Sequence, residues 1–279
     1  MANPTPAPLQ ERALRLVQSL QFAWFCGHVS MLFFTLRYGL YYITMKTGYT
    51  WARYSYRIAF VSALVTYGIV VYKGYRARVR QGKPTSAIAL ASDENVQYYA
   101  MGLIWLFSRQ IPLALLPFVV YSVFHVLTYI RGNILPTLTP PTAPSPAGQR
   151  PRPSGPVADG IGKFIKDYYD LSMSLVAGLE IALWVRVFVS ALLFQKGSWI
   201  LLAIYSVFLR ARYSQSTFVQ NTFATIGARA DGVLANQSTD PTVRRVWDQV
   251  KGGLKQLVEM TDAKKYVGQA PGEGAKKAQ

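Results

Sequence analysis

Apolar positions along the chain gather into four long blocks, 20–44, 51–72, 98–130 and 171–209, separated by short polar or basic stretches. Each is long enough for a membrane span, which needs about 20 predominantly apolar residues. The first contains FAWFCGHVSMLFF and carries His28 and Arg37; the second ends in IAFVSALVTYGIVVY, with Arg53 and Arg57 near its entrance. The third and fourth are too long to be single crossings. As one straight helix the third would reach roughly 50 Å at ~1.5 Å per residue, against a hydrocarbon core of about 30 Å. It is predicted to break at Arg109-Gln110-Ile111-Pro112, because proline disfavours helix at the residue before it. The fourth is predicted to break at Gln195-Lys196-Gly197-Ser198. Each then reads as a span with a shorter partner, either a helical hairpin or a span with an interfacial arm. Tyr-Ser-Val-Phe occurs in both, at 121–124 and 205–208, but the flanks do not align well enough to carry an internal duplication.

After Leu209 the pattern changes. Val219, Phe223, Ile226, Ala230 and Val233 recur at helical spacing. Asp240-Pro241 is then an N-cap followed by proline at the first helical position, opening PTVRRVWDQVKGGLKQLVEM. Val243, Val246, Trp247, Val250, Leu254, Leu257 and Val258 form one apolar stripe. Arg244, Arg245, Lys251 and Lys255, with Asp248 and Glu259, leave the polar side net basic. Gly252-Gly253 weakens such a helix in water by roughly 1 kcal/mol per glycine relative to alanine. A helix that is poor alone and gains from a surface fits folding upon membrane binding.

Composition strengthens the membrane reading. The chain of 279 residues is 51% apolar and 15% charged, below the ~25% charge of soluble domains. The formal charge of +17 would suggest nucleic acid for a soluble protein; here it suggests cytosol-facing loops and anionic headgroups. The run 73–83 (KGYRARVRQGK) follows a span without an acid and reads as a cytosolic loop by the positive-inside rule. Residues 1–19 read as a cytosolic segment without a cleaved signal peptide. Residues 136–156 hold eight of the sixteen prolines and read as a connector; its PTAP word is a composition match. Residues 210–268 are expected to form the amphipathic tail and 269–279 a disordered end. Lys276 and Lys277, fourth and third from the C-terminus, resemble a dilysine retrieval signal, an address read by a receptor. The one sequon free of proline is Asn236-Gln237-Ser238.

Candidate chemistry is sparse. The one cysteine, Cys26, excludes an intrachain disulfide. His28 and His125 sit in apolar blocks without an acid or cysteine at ligand spacing, so packing roles are expected. Glu180 is an intramembrane acid and a functional candidate by default; the structural alternative pairs it with Arg186, Arg109 or Arg37. No catalytic residue, metal site or cofactor is expected.

Two longer motifs carry a resemblance: IPLALLPFVVYSVFHVLTYIR, with Ser-x-x-His-x-x-x-Tyr at its end, and FLRARYSQS at 208–216, with Leu179-Glu180-Ile181 in the same block. The chain from Leu20 to about Val258 resembles the transmembrane protein 33 family, that of Krüppel homologue 2 and the fungal pore-membrane nucleoporins. The resemblance implies residence in the endoplasmic reticulum and nuclear envelope, links to tubule shaping, reticulon-type proteins and nucleoporins, and a tail contacting membrane and an importin-type receptor. The 136–156 insert and the end with Lys276 and Lys277 depart from the family. The expectation is thus an all-α integral membrane protein with about four membrane-inserted helical units, the last two hairpins or armed spans, plus an amphipathic tail binding anionic lipid. The alternative is a scaffold whose tail recruits a protein; a carrier using Glu180 is the third reading. Nucleic acid is not an expected partner, and homo-oligomerisation is left open.

Overall fold

The computed structural model describes residues 7–139, 155–235 and 240–261. Among them the chain is helical, without a strand, and forms two units, Met1–Phe208 and Leu209–Gln279. In order come α1 (Leu9–Val17), α2 (Leu20–Ile43), α3 (Thr50–Arg80), α4 (Ala87–Ala91) and α5 (Glu94–Phe107). A 3₁₀ turn (Pro112–Leu115), α6 (Leu116–Tyr129), a π turn (Ile130–Ile134) and α7 (Leu135–Leu138) make one nearly continuous rod. There follow α8 (Pro156–Leu192), α9 (Ser198–Gln215), α10 (Thr217–Leu234) and α11 (Pro241–Met260). Among the described residues Thr50–Arg80, Pro112–Leu138 and Pro156–Leu192 are each long and apolar enough to cross a membrane; α1 and α2 qualify together across a 73° bend. The chain is an all-α integral membrane protein, as the hydrophobic pattern predicts.

In lipid, helices gain little from the hydrophobic effect against one another, so close packing and small residues decide their pairing. α2 and α3 follow this rule. A Cβ on Gly27 would stand 2.5 Å from Thr66 Cγ2, and Ser30 and Ser62 hydroxyls bond across the pair at 2.8 Å. Aromatic side chains fill the core of the first unit, where Tyr56, Phe60, Trp105, Phe118 and Tyr205 are buried.

The third block breaks between Phe107 and Pro112, as predicted. A break inside a membrane protein must satisfy the backbone groups it frees. Ile111, extended because proline follows, donates its N–H to Tyr56 Oη at 3.1 Å, and the same hydroxyl donates to Ile111 O at 3.4 Å. Arg57 Nη1 donates to Trp105 O at 3.1 Å and also to Leu106 O, capping the end of α5. The fourth block breaks after Leu192, where Gly197 takes φ +75°, a conformation that glycine adopts without steric cost. Arg109 of the first break donates to Gln195 of the second.

Three features depart from the sequence reading. The run 73–83 is helix up to Arg80, not a loop. Its Arg, Ala and Lys are good helix formers, and the first stop signal is Gly82 at φ +62°. α8 starts at Pro156, well before position 171, because the helix continues through a polar overture after proline at its first turn. The segment before residue 20 contains α1, too short to register as an apolar block.

Candidate membrane-binding tail and buried polar positions

Ser216 ends α9 and caps α10, its hydroxyl accepting from Val219 N at 3.4 Å. Asp240 opens α11 as expected, accepting from Thr242 N at 2.6 Å; this bond holds the Asp240 carboxyl below the usual carboxylate range. At the other end of α11, Arg210 donates to Val258 O at 3.0 Å and to Thr261 Oγ1 at 2.7 Å. An arginine there satisfies a terminal carbonyl and complements the helix dipole. Arg210 belongs to the FLRARYSQS motif, so part of that motif's work is to fasten the end of α11.

The apolar stripe divides in two. Val243, Val246, Val250, Leu254 and Leu257 stand exposed, at 45–56%. Trp247 and Val258, on one margin, are half-buried, as are the neighbouring Arg244 and Lys251. Trp247 Nε1 donates to Asp231 Oδ1 of α10 at 2.6 Å, and Lys251 Nζ donates to the same oxygen at 2.8 Å. Lys251 also pairs with Asp248 at 3.1 Å. Lys251 first, then Trp247, depresses the Asp231 pKa, while Asp231 first, then Asp248, raises that of Lys251. Arg245 and Lys255 are exposed. Sequence reasoning missed Asp231, whose partners lie on another helix; its only signal was an acid on the polar side of α10. Lys276, Lys277 and the sequon Asn236-Gln237-Ser238 lie outside the described residues.

In the first unit the Ser-x-x-His-x-x-x-Tyr motif is a packing face. Ser122, His125 and Tyr129 share one side of α6 and meet α2. Ser122 Oγ lies 2.9 Å from His28 Nδ1; the His125 ring sits 4.9 Å from Trp24 and 4.7 Å from His28; Tyr129 stacks on Phe25 at 4.6 Å. Glu180 is 1% exposed. Its carboxylate accepts from the Tyr98 hydroxyl, and its backbone carbonyl accepts from Tyr205 Oη at 3.1 Å. The arginines considered for it are engaged elsewhere: Arg37 over Trp51, Arg109 on Gln195, Arg186 on Ser190. The cavity between Tyr98, Trp105, Phe118 and Glu180 measures about 10 Å³, room for one water at most. Among the described residues no three His, Cys, Asp or Glu side chains gather as a metal site.

Comparison with known proteins adds a lineage. Residues 6–259 match the family described as Transmembrane protein 33/Nucleoporin POM33. The chain is 50% identical to "Nucleoporin POM33" of Chaetomium thermophilum over 95% of its own length and 96% of that protein's. It is 31% identical to "Tetra-spanning protein 1" of Schizosaccharomyces pombe, covering 88% and 86% of the two chains. It is 30% identical to "Pore membrane protein of 33 kDa" of Saccharomyces cerevisiae, covering 90% and 88%. No solved structure matches the chain.

Proposed function

Since the chain belongs to the Transmembrane protein 33/Nucleoporin POM33 family, we propose that it is a non-enzymatic membrane protein of the endoplasmic reticulum and nuclear envelope. In this reading it shapes or organises membrane and supports nuclear pore assembly or distribution. The names of its relatives, a nucleoporin and a pore membrane protein, support the pore context. Both termini lie in the cytosol, where the basic residues of 73–83 meet the positive-inside rule.

The working part is α11, and the observation that carries this is its exposed row of Val243, Val246, Val250, Leu254 and Leu257 on a helix whose other faces carry Arg244, Arg245, Lys251 and Lys255. The row enters the acyl boundary while the cations meet anionic headgroups, each held cation contributing on the order of 1 kcal/mol. Trp247 and Val258 join the row once Trp247 leaves Asp231. Flotation of the 236–268 segment with liposomes tests this. Binding is expected to be strongest on small anionic vesicles and to weaken with salt; equal binding to large neutral vesicles would remove the mechanism. A second reading, recruitment of an importin-type receptor or reticulon-type partner, is favoured by the exposed Arg245 and Lys255 on the side away from the apolar row. A Trp247→Asp, Leu254→Asp tail that loses lipid but still captures purified receptor would support it.

A further inference from the structure

α1 and α2 meet at 73°, close to a right angle. The corner is tied on both sides. Gln18 N–H donates to Leu14 O and Ser19 N–H to Leu16 O, each at 3.1 Å. Ser19 Oγ donates to Leu16 O at 2.6 Å and accepts from Phe22 N at 3.1 Å. One hydroxyl thus closes the end of α1 and caps the start of α2, satisfying groups that helix termini leave free. A corner bonded in this way holds its angle.

The neighbours show where α1 lies. α2 and α6 run antiparallel, since Phe25 meets Tyr129 and His28 meets Ser122. The start of α2 and the end of the α6–α7 rod are therefore at the same end of the bundle. α1 packs against α7, so it crosses that end and does not run along the bundle's length.

α1 has three faces. Arg12, Ala13 and Leu16 are half-buried against the protein. Glu11 and Arg15 form an exposed i, i+4 pair. Leu9, Leu14 and Val17 are 49, 56 and 53% exposed. Three charges in so short a helix count against hydrocarbon, and the uncovered leucines and valine count against bulk water. A helix set across the entry of a span, apolar on one side and charged on the next, matches the boundary between the two.

We propose that α1 is an interfacial helix lying in the plane of the leaflet that α2 enters, its Leu9, Leu14 and Val17 among the upper acyl chains and its Glu11–Arg15 pair among the headgroups. α2 then makes its crossing alone, and the bent pair is a span with an in-plane anchor. The protein would hold the membrane at two separate places outside its crossings, α1 permanently and α11 reversibly.

Spin labels placed one at a time at Glu11, Leu14, Arg15 and Val17 test this in the full-length protein. The background carries Cys26→Ser, Cys26 being the sole cysteine, and the protein is reconstituted in phosphatidylcholine–phosphatidylserine vesicles. Labels at Leu14 and Val17 are expected to favour oxygen over a polar nickel chelate and to report one shared depth of about 5–10 Å. Labels at Glu11 and Arg15 are expected to favour the nickel chelate. A depth rising steadily from position 11 to 17 would show α1 continuing the span, and chelate access at all four positions would show it lying in water. Either result overturns the assignment.

Discussion

Glu180 in the membrane bundle and Asp231 in the tail have the same kind of partner, an aromatic side chain donating to the carboxylate, and opposite surroundings. Glu180 is 1% exposed and receives the Tyr98 hydroxyl; Asp231 is exposed and receives Trp247 and Lys251. The first contact is sealed from bulk water, so breaking it strands a buried polar group. Water, salt or a lipid phosphate can replace the second, so its net worth is small and it can be exchanged. One carboxylate is part of the scaffold; the other is a latch on the indole that the tail would offer to a membrane.

The largest expected effect that separates them is at Glu180. Glu180→Ala should lower stability by about 1–3 kcal/mol, the desolvation cost of an orphaned donor, read as thermal unfolding in detergent. Glu180→Gln keeps an acceptor in place and should cost much less, with cellular phenotypes retained; their loss would revive the carrier reading. The bundle's lack of slack can be tested separately at Gly27. Thr66 is β-branched and donates to Ala63 O at 2.8 Å, so it cannot swing away from a new methyl. Gly27→Ala should therefore cost roughly 1–3 kcal/mol by overpacking α2 against α3.

In the tail the effects should be smaller and of opposite sign. Asp231→Ala frees Trp247 and leaves Lys251 paired only with Asp248, so a 209–268 segment should bind anionic vesicles a few-fold more tightly. Trp247 is the sole tryptophan in that segment, and its emission reports insertion directly. Weaker binding by this variant would mean that Asp231 organises the tail for lipid and does not restrain it. The smallest effect concerns pH. Asp231 has a depressed pKa, so the contact holds above the ordinary carboxylate range and is lost as pH falls through the lowered value. Lys251 has a raised pKa, so its contribution is lost only as pH rises through that higher value. Between about pH 6 and 8 the latch should not change, and Trp247 emission without lipid should stay flat.

What the sequence disclosed and what it hid follow the range of the interactions. Pro112 and Gly197 announce breaks because their effect is local, on the residue before or on their own φ. Asp240-Pro241 announces the start of α11 for the same reason. The apolar blocks announce spans because bilayer thickness is an external ruler. The closures of those breaks were hidden: Tyr56 and Arg57 reach residues about fifty positions away, and no spacing rule connects them. Asp231 was hidden in the same way, and it changed the tail by turning two members of its expected surface toward α10. α1 was hidden by length, its amphipathic pattern covering little more than two turns.

We propose that α11 works on the cytosolic face of the membrane, and Asn236-Gln237-Ser238, just before it in sequence, is a natural reporter of side. Full-length protein synthesised with microsomes, beside a secretory glycoprotein as a positive control, should show no endoglycosidase-sensitive mass shift. A shift would put α11 in the lumen and contradict cytosolic lipid binding, receptor contact and dilysine retrieval together.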